Sequence, residues 1–86
     1  MIVRIPTALR SYTAGRAEVD ADGTTLATIL HDLDRRHPGI RFRIIDEQDG
    51  IRTHIKLFVN QEVAASLATP LAPGDEVHIV CALSGG

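Results

Sequence analysis

Glu76-Val77-His78-Ile79-Val80-Cys81, entered through Pro73-Gly74-Asp75, is the stretch on which the fold turns. Apolar and polar residues alternate along it, so Val77, Ile79 and Cys81 share one side, and Glu76, His78 and Val80 the other. Pro73-Gly74-Asp75 supplies a tight turn before it. The stretch reads as the last strand of a sheet with one buried face. At the opposite end of the chain, Met1-Ile2-Val3-Arg4-Ile5 reads as the first strand. Val3 and Ile5 point inward, Ile2 and Arg4 point outward, and Pro6 removes a ladder donor near its end. If the last strand lies parallel beside the first, the fold is a β-grasp.

Between them, Ser11 to Gly15 is turn-like, and Arg16-Ala17-Glu18-Val19-Asp20 alternates as a second strand hairpinned to the first. Asp22-Gly23 marks a turn, after which Thr24 or Thr25 can cap a helix. Leu26, Ile29, Leu30 and Leu33 form one buried stripe at helical spacing, with Asp32 and Asp34 facing out. Arg35-Arg36-His37 suits the negative end of the helix dipole, and Pro38-Gly39 stops the helix. Residues 40–53 are the hardest to read. Phe42, Ile44 and Ile45 suggest a short helical turn, and Asp46 to Gly50 a loop tip. His54-Ile55-Lys56-Leu57-Phe58-Val59 is a third strand, with His54, Lys56 and Phe58 outward. Asn60-Gln61-Glu62 turns, and Val63 to Leu71 is short irregular or edge structure. The element order predicts an α+β fold: a mixed sheet of four to five strands with one main helix packed on one face.

Composition narrows the function. Eighty-six residues make one domain, and one this small seldom encloses a deep pocket, so binding or carrying is expected before catalysis. Nine Lys+Arg against eleven Asp+Glu leave no basic stripe for nucleic acid. No apolar run reaches the roughly 18 residues of a membrane helix. The N-terminus carries no apolar signal region, and a lone Cys81 forms no internal disulfide. A cytoplasmic location is therefore expected, with no metal site from one Cys and four scattered His.

The chain ends Leu83-Ser84-Gly85-Gly86. At a Gly frequency near 7%, a terminal Gly-Gly arises by chance about once in 200 chains. Joined to this element order, it resembles the MoaD/ThiS family of ubiquitin-like sulfur carriers over the whole chain. The sharpest matches are Val59-Asn60-Gln61, Pro70-Leu71, Gly74-Asp75-Glu76-Val77 and Gly85-Gly86. Ile5-Pro6-Thr7-Ala8-Leu9-Arg10, Thr13-Ala14-Gly15 and Arg35-Arg36-His37-Pro38-Gly39 look closer to the cysteine-biosynthesis type. The resemblance implies a ubiquitin-like β-grasp domain over 1–82 and a flexible tail over 83–86.

It also implies a role. Gly86 would be adenylated and converted to a thiocarboxylate by a separate enzyme related to ubiquitin-activating enzymes. The ATP is that partner's; no cofactor is expected on this chain, which is read as a carrier and not an enzyme. Leu83, Ser84 and Gly85 would be the tail that threads the partner's active site, where glycine fits narrow passages. The acceptor would be a pyridoxal-phosphate-dependent cysteine synthase, or in a second reading the large subunit of molybdopterin synthase. A sulfur donor to a thio-containing natural product, a protein modifier joined to lysines, and a plain interaction module are the further alternatives. In many members of the molybdopterin and cysteine types a proline stands where this chain has Cys81. That thiol is read as a small core residue rather than a sulfur-handling group.

For docking, Ile2, Phe58 and Val80 are outward apolar residues on strands expected to be neighbours. They are read as a partner-facing patch flanked by Lys56, His54 and His78, unless residues 40–53 fold over them. His54 and His78 could lie side by side on that face, though two imidazoles alone seldom hold a metal. The Asp20–Asp22 and Asp32–Asp34 pairs read as solvated faces, and Ser84 as a polar spacer. Arg35, Arg36, Arg41 and Arg43 form the one basic cluster.

Overall fold

The computed structural model describes residues 1–82. Five strands form one sheet in the order β2-β1-β5-β3-β4: β1 (Ile2–Arg4), β2 (Glu18–Asp20), β3 (Ile55–Val59), β4 (Glu62–Ala64) and β5 (Glu76–Cys81). First and last strands pair in parallel at the centre, Val3 opposite Val77, and every other neighbour is antiparallel. The helix α1 (Leu26–Arg36) packs on one face, followed by a short α2 (Ile40–Ile44). This is the ubiquitin-like β-grasp that the terminal strands predict.

The buried faces follow the alternation. Val3, Ile5, Val19, Ile55, Leu57, Val77 and Ile79 meet the α1 stripe Leu26, Ile29, Leu30 and Leu33 in one core. That stripe is sealed, each of its four side chains at most 1% exposed, which is why the amphipathic helix holds its place on the sheet.

Thr25, of the two candidates, is the N-cap. Its hydroxyl accepts from Thr28 N, and the Thr28 hydroxyl accepts from Thr25 N at 2.9 Å. The next two orphan donors of the helix are met from outside. Leu26 N donates to Thr69 O at 3.1 Å and Ala27 N to Leu67 O at 2.9 Å. The irregular segment around Pro70-Leu71 thus completes a helix end that would otherwise bury unpaired donors. The family-like stretches at Asn60 and Asp75 also meet. Asn60 Nδ2 donates to Asp75 and Asn60 Oδ1 accepts from Glu76 N, both at 3.1 Å. Together they tie the β3–β4 turn to the start of β5.

Three expectations are corrected. The segment read as a turn at 11–15 is mostly a 3₁₀ helix, Thr7–Thr13. Buried Leu9 anchors it, as does Thr13, whose hydroxyl donates to Arg16 O at 2.8 Å. Only Ala14 and Gly15 remain as the turn, both with positive φ. The second strand is shorter than 16–20, because the chain leaving that turn joins the ladder only at Ala17 O, the acceptor for Ile5 N. Asp32 and Asp34 are not solvated ornaments of α1. Asp32 accepts from Asp22 N at 2.8 Å and pairs with Arg35 and Arg36. Asp34 accepts from Gly39 N and Arg41 N, which turns the chain into α2.

Candidate functional site

β5 is the strand that delivers the C-terminus. Held between β1 and β3, it keeps its ladder to the end, where Ala82 N donates to His54 O at 2.8 Å. The sequence-derived tail residues Leu83, Ser84, Gly85 and Gly86 lie beyond this bond, outside the described residues. What is described is the platform from which they leave.

Cys81 stands at that exit, half-buried against the edge of the core and opposite Ile55. Beside it opens a cleft of about 380 Å³, lined among others by Phe42, Arg43, Glu47, Arg52, His54 and Cys81. Arg52 is fixed there. Its Nε donates to Phe42 O at 2.8 Å, and its guanidinium carbon lies 4.7 Å from the centroid of the Phe42 ring. Residues 40–53 therefore fold toward the tail exit and the helix, where Ile40, Ile44 and Ile45 are buried.

The outer face of the sheet carries Ile2, Lys56, Phe58 and Val80 in the predicted orientation. Ile2 and Val80 are exposed, whereas Phe58 is half-buried. Val63 on β4 stands directly opposite Phe58 and, at 61%, is the most exposed large apolar side chain among the described residues. The sequence pattern does not single it out, because Val63 to Leu71 reads equally as edge strand or irregular structure. Hairpin alternation around Asn60-Gln61 would have placed it. Phe58, Val63 and Val80 gather on the β3–β4 side. Ile2 lies opposite Glu76, across β5 and four residues along from Val80, about 13 Å in strand rise. Arg4 fills the space between, bound to Glu18 and, at 2.9 Å, to Glu76.

His54 and His78 do not lie side by side. His78 is opposite Phe58, with Nε2 3.5 Å from Glu76, whereas His54 sits level with Ala82 and lines the cleft. Among the described residues no group of three His, Cys, Asp or Glu is placed to hold a metal. The four-arginine cluster also divides. Arg35 and Arg36 bind Asp32, and Arg36 also reaches Asp22; Arg41 reaches Asp49; Arg43 turns to the cleft. The bond from Asp22 N, with Arg35 and Arg36 beside it, holds the Asp32 carboxyl down at about 2.

A fold that leads its central strand to a Gly-Gly end can be set beside known proteins. Residues 3–86 match the ThiS family. The chain belongs to the ThiS family. The sulfur carrier protein CysO of Mycobacterium tuberculosis is 38% identical, over 98% of this chain and 96% of its own. A chain of the Amycolatopsis orientalis BexX/CysO complex superposes with a TM-score of 0.91 at 35% identity, covering 99% of this chain and 98% of that one. Small archaeal modifier protein 1 of Haloferax volcanii gives 0.76 at 26% identity, with 95% of each chain covered. The ThiS-family relatives are named as carriers or modifiers, not catalysts. In the described part of this family member, no helix is long and apolar enough to cross a membrane.

Proposed function

We propose that this chain carries sulfur as a thiocarboxylate on Gly86 and donates it to a biosynthetic enzyme, in cysteine biosynthesis first. The observation that carries the reading is the coincidence of three things. The central strand runs to one end of the sheet, a Gly-Gly terminus follows within five residues, and proteins named sulfur carrier CysO are similar along nearly the whole chain.

The chemistry explains why such a protein needs a partner. A free carboxylate is a poor acyl donor, because oxide would have to leave. Attack of the Gly86 carboxylate on the α-phosphorus of ATP expels pyrophosphate and leaves an acyl adenylate. Hydrosulfide-level sulfur then attacks the carbonyl carbon, AMP departs, and a thiocarboxylate remains. The adenylating enzyme supplies ATP binding and catalysis. This chain supplies an unhindered carboxyl on glycine and a rigid domain for the enzyme to grip. Ile2, Phe58 and Val80 are the proposed docking residues, now with Val63 beside Phe58. The acceptor in this reading is a pyridoxal-phosphate-dependent cysteine synthase. The molybdopterin synthase large subunit is the alternative acceptor, and both belong to the cytoplasm.

A second reading, protein modification through Gly86, draws on the likeness to small archaeal modifier protein 1. Intact mass spectrometry after incubation with the adenylating enzyme of the same genome, ATP and sulfide separates the two. A carrier gains the mass difference between sulfur and oxygen. A modifier appears instead in stable conjugates with other proteins, and a chain that does neither is no member of this chemistry.

A further inference from the structure

Basic side chains gather at one end of the sheet. At the end where β5 hands over to the tail, Arg43, Arg52 and His54 line the cleft beside Cys81. Arg10 borders a second hollow on the other side of Cys81, with its Nε held by Ile5 O at 3.0 Å. Lys56 is exposed opposite Val80. Glu47 is the one acid among the side chains lining either hollow. At the opposite end of the sheet Asp20, Asp22, Glu62, Asp75 and Glu76 gather around the start of β5, where the N-terminal ammonium stands beside Asp20 and Asp22, Arg36 also reaches Asp22, and Arg4 pairs with Glu76. Six residues of β5 separate the two ends, about 17 Å, or roughly two Debye lengths at physiological salt. A chain with a formal charge of −2 thus keeps a local excess of basic side chains around the tail exit.

Part of this basic charge is unpaired among the described residues. Arg43 makes no ion pair or hydrogen bond through its guanidinium among the described residues. Arg52 uses one nitrogen on Phe42 O, which holds the group in place, and its charge is shared with the nearby Asp46 carboxylate, which it helps hold ionised. Arginines fixed in this way present forks suited to carboxylates.

We propose that this collar of Arg10, Arg43, Arg52, His54 and Lys56 is an electrostatic docking element for a carboxylate-lined surface at the mouth of the adenylating partner's active site. The inference rests on the carrier reading. Any enzyme that takes in the tail must bring its own surface against the collar, and like charges there would oppose docking. An acidic rim on the enzyme would instead attract the basic tail exit so that the tail arrives first, which raises the association rate.

The test compares two variants that each take the formal charge from −2 to −4. Arg43→Gln/Arg52→Gln neutralises the collar. Ala68→Glu/Ala72→Glu adds the same charge at exposed positions in the segment that pairs with the start of α1, away from the tail exit. Stopped-flow association with the purified adenylating enzyme is measured from low to high salt, with thermal melting alongside. Arg43→Gln alone removes no bond within the described residues, so it isolates charge from packing. The collar double variant should associate about tenfold more slowly at low salt and converge with wild type at high salt. Arg43→Gln alone should fall in between, and the alanine variant should stay near wild type. Equal rates and equal salt slopes for all variants, with wild type still gaining sulfur at Gly86, would overturn this inference alone. A wild type that neither binds nor gains sulfur would overturn the carrier reading and the collar with it. Shifts of the Arg43 and Arg52 Nε–H resonances on deleting Gly86, with no enzyme present, would assign the collar to the chain's own terminus and also overturn the proposal.

Discussion

Val63→Thr/Val80→Thr is the sharpest perturbation of the proposed docking face. Threonine keeps the β-branch, so strand geometry survives. It replaces a methyl by a hydroxyl that water satisfies in the free chain but that docking must desolvate. Complete burial of a valine is worth about 1.5–3 kcal/mol. Val80 is 44% exposed and Val63 61%, so docking can still gain about 0.7–1.3 and about 0.9–1.8 kcal/mol from them. The sum, about 1.6–3.1 kcal/mol, corresponds to roughly 15- to 200-fold in Kd. The double variant should weaken binding to the adenylating enzyme within that range by titration calorimetry. Its melting temperature should move by a few degrees at most, since about 4–8 °C accompanies each kcal/mol in a domain of this size. Phe58 is the poorer target. It is half-buried, so Phe58→Asp lowers stability as well as docking and confuses the two. Unchanged affinity in a normally folded Val63→Thr/Val80→Thr protein would refute the assignment and move docking off this face. A large loss of stability would show that these valines pack into structure that the register leaves exposed.

Deleting Gly86, or changing Gly86→Val, should leave thermal melting unchanged and abolish the sulfur mass gain, since the branched side chain crowds the carboxyl carbon; normal sulfur loading of the deletion would end the carrier reading. Cys81→Ala should cost about 1 kcal/mol in chemical denaturation and still load sulfur, because the half-buried thiol is packing at the core's edge. Gly23→Ala should lower the melting temperature clearly. A Cβ there would sit 2.4 Å from Ile29 N on α1, backbone that cannot swing aside, and such overpacking costs about 1–3 kcal/mol. Asp32→Asn should destabilise at neutral pH. Because the folded carboxyl is held down at about 2 against about 3.9 unfolded, that advantage of the wild type is full above pH 4 and fades as pH falls to 2; melting curves of the pair that stay parallel down to pH 2 would show the charge to be irrelevant.

What could be read in advance depended on whether a residue's role is periodic. Ile55, Leu57, Val77 and Ile79 alternate, and Leu26, Ile29, Leu30 and Leu33 recur at helical spacing, so their burial follows from the backbone period alone. The parallel pairing of β1 with β5 needed one topological guess, and the Gly-Gly end made it. Roles set by single long-range hydrogen bonds have no period. Asp32 looks solvent-facing on a helical wheel, yet the backbone N–H of Asp22 on the preceding turn, ten residues away, claims it. Thr13 is buried because its hydroxyl closes the turn after a 3₁₀ helix that no apolar pattern announces. The tail-exit cleft is the extreme case. Phe42 and Arg52 come together across the Ile45–Ile51 bridge, and His54 joins them only because Ala82 extends the β3–β5 ladder by one bond. Each contact depends on the register of the fold, so the basic groups lie scattered along the sequence and converge only once β5 is in place. The face opposite the helix follows the same logic. Val63 was hidden by an unassigned edge strand, while Ile2, legible as outward, is separated from Phe58 and Val80 by the Arg4–Glu76 pair. A docking surface is a two-dimensional object. Alternation supplies one of its dimensions, and strand order supplies the other.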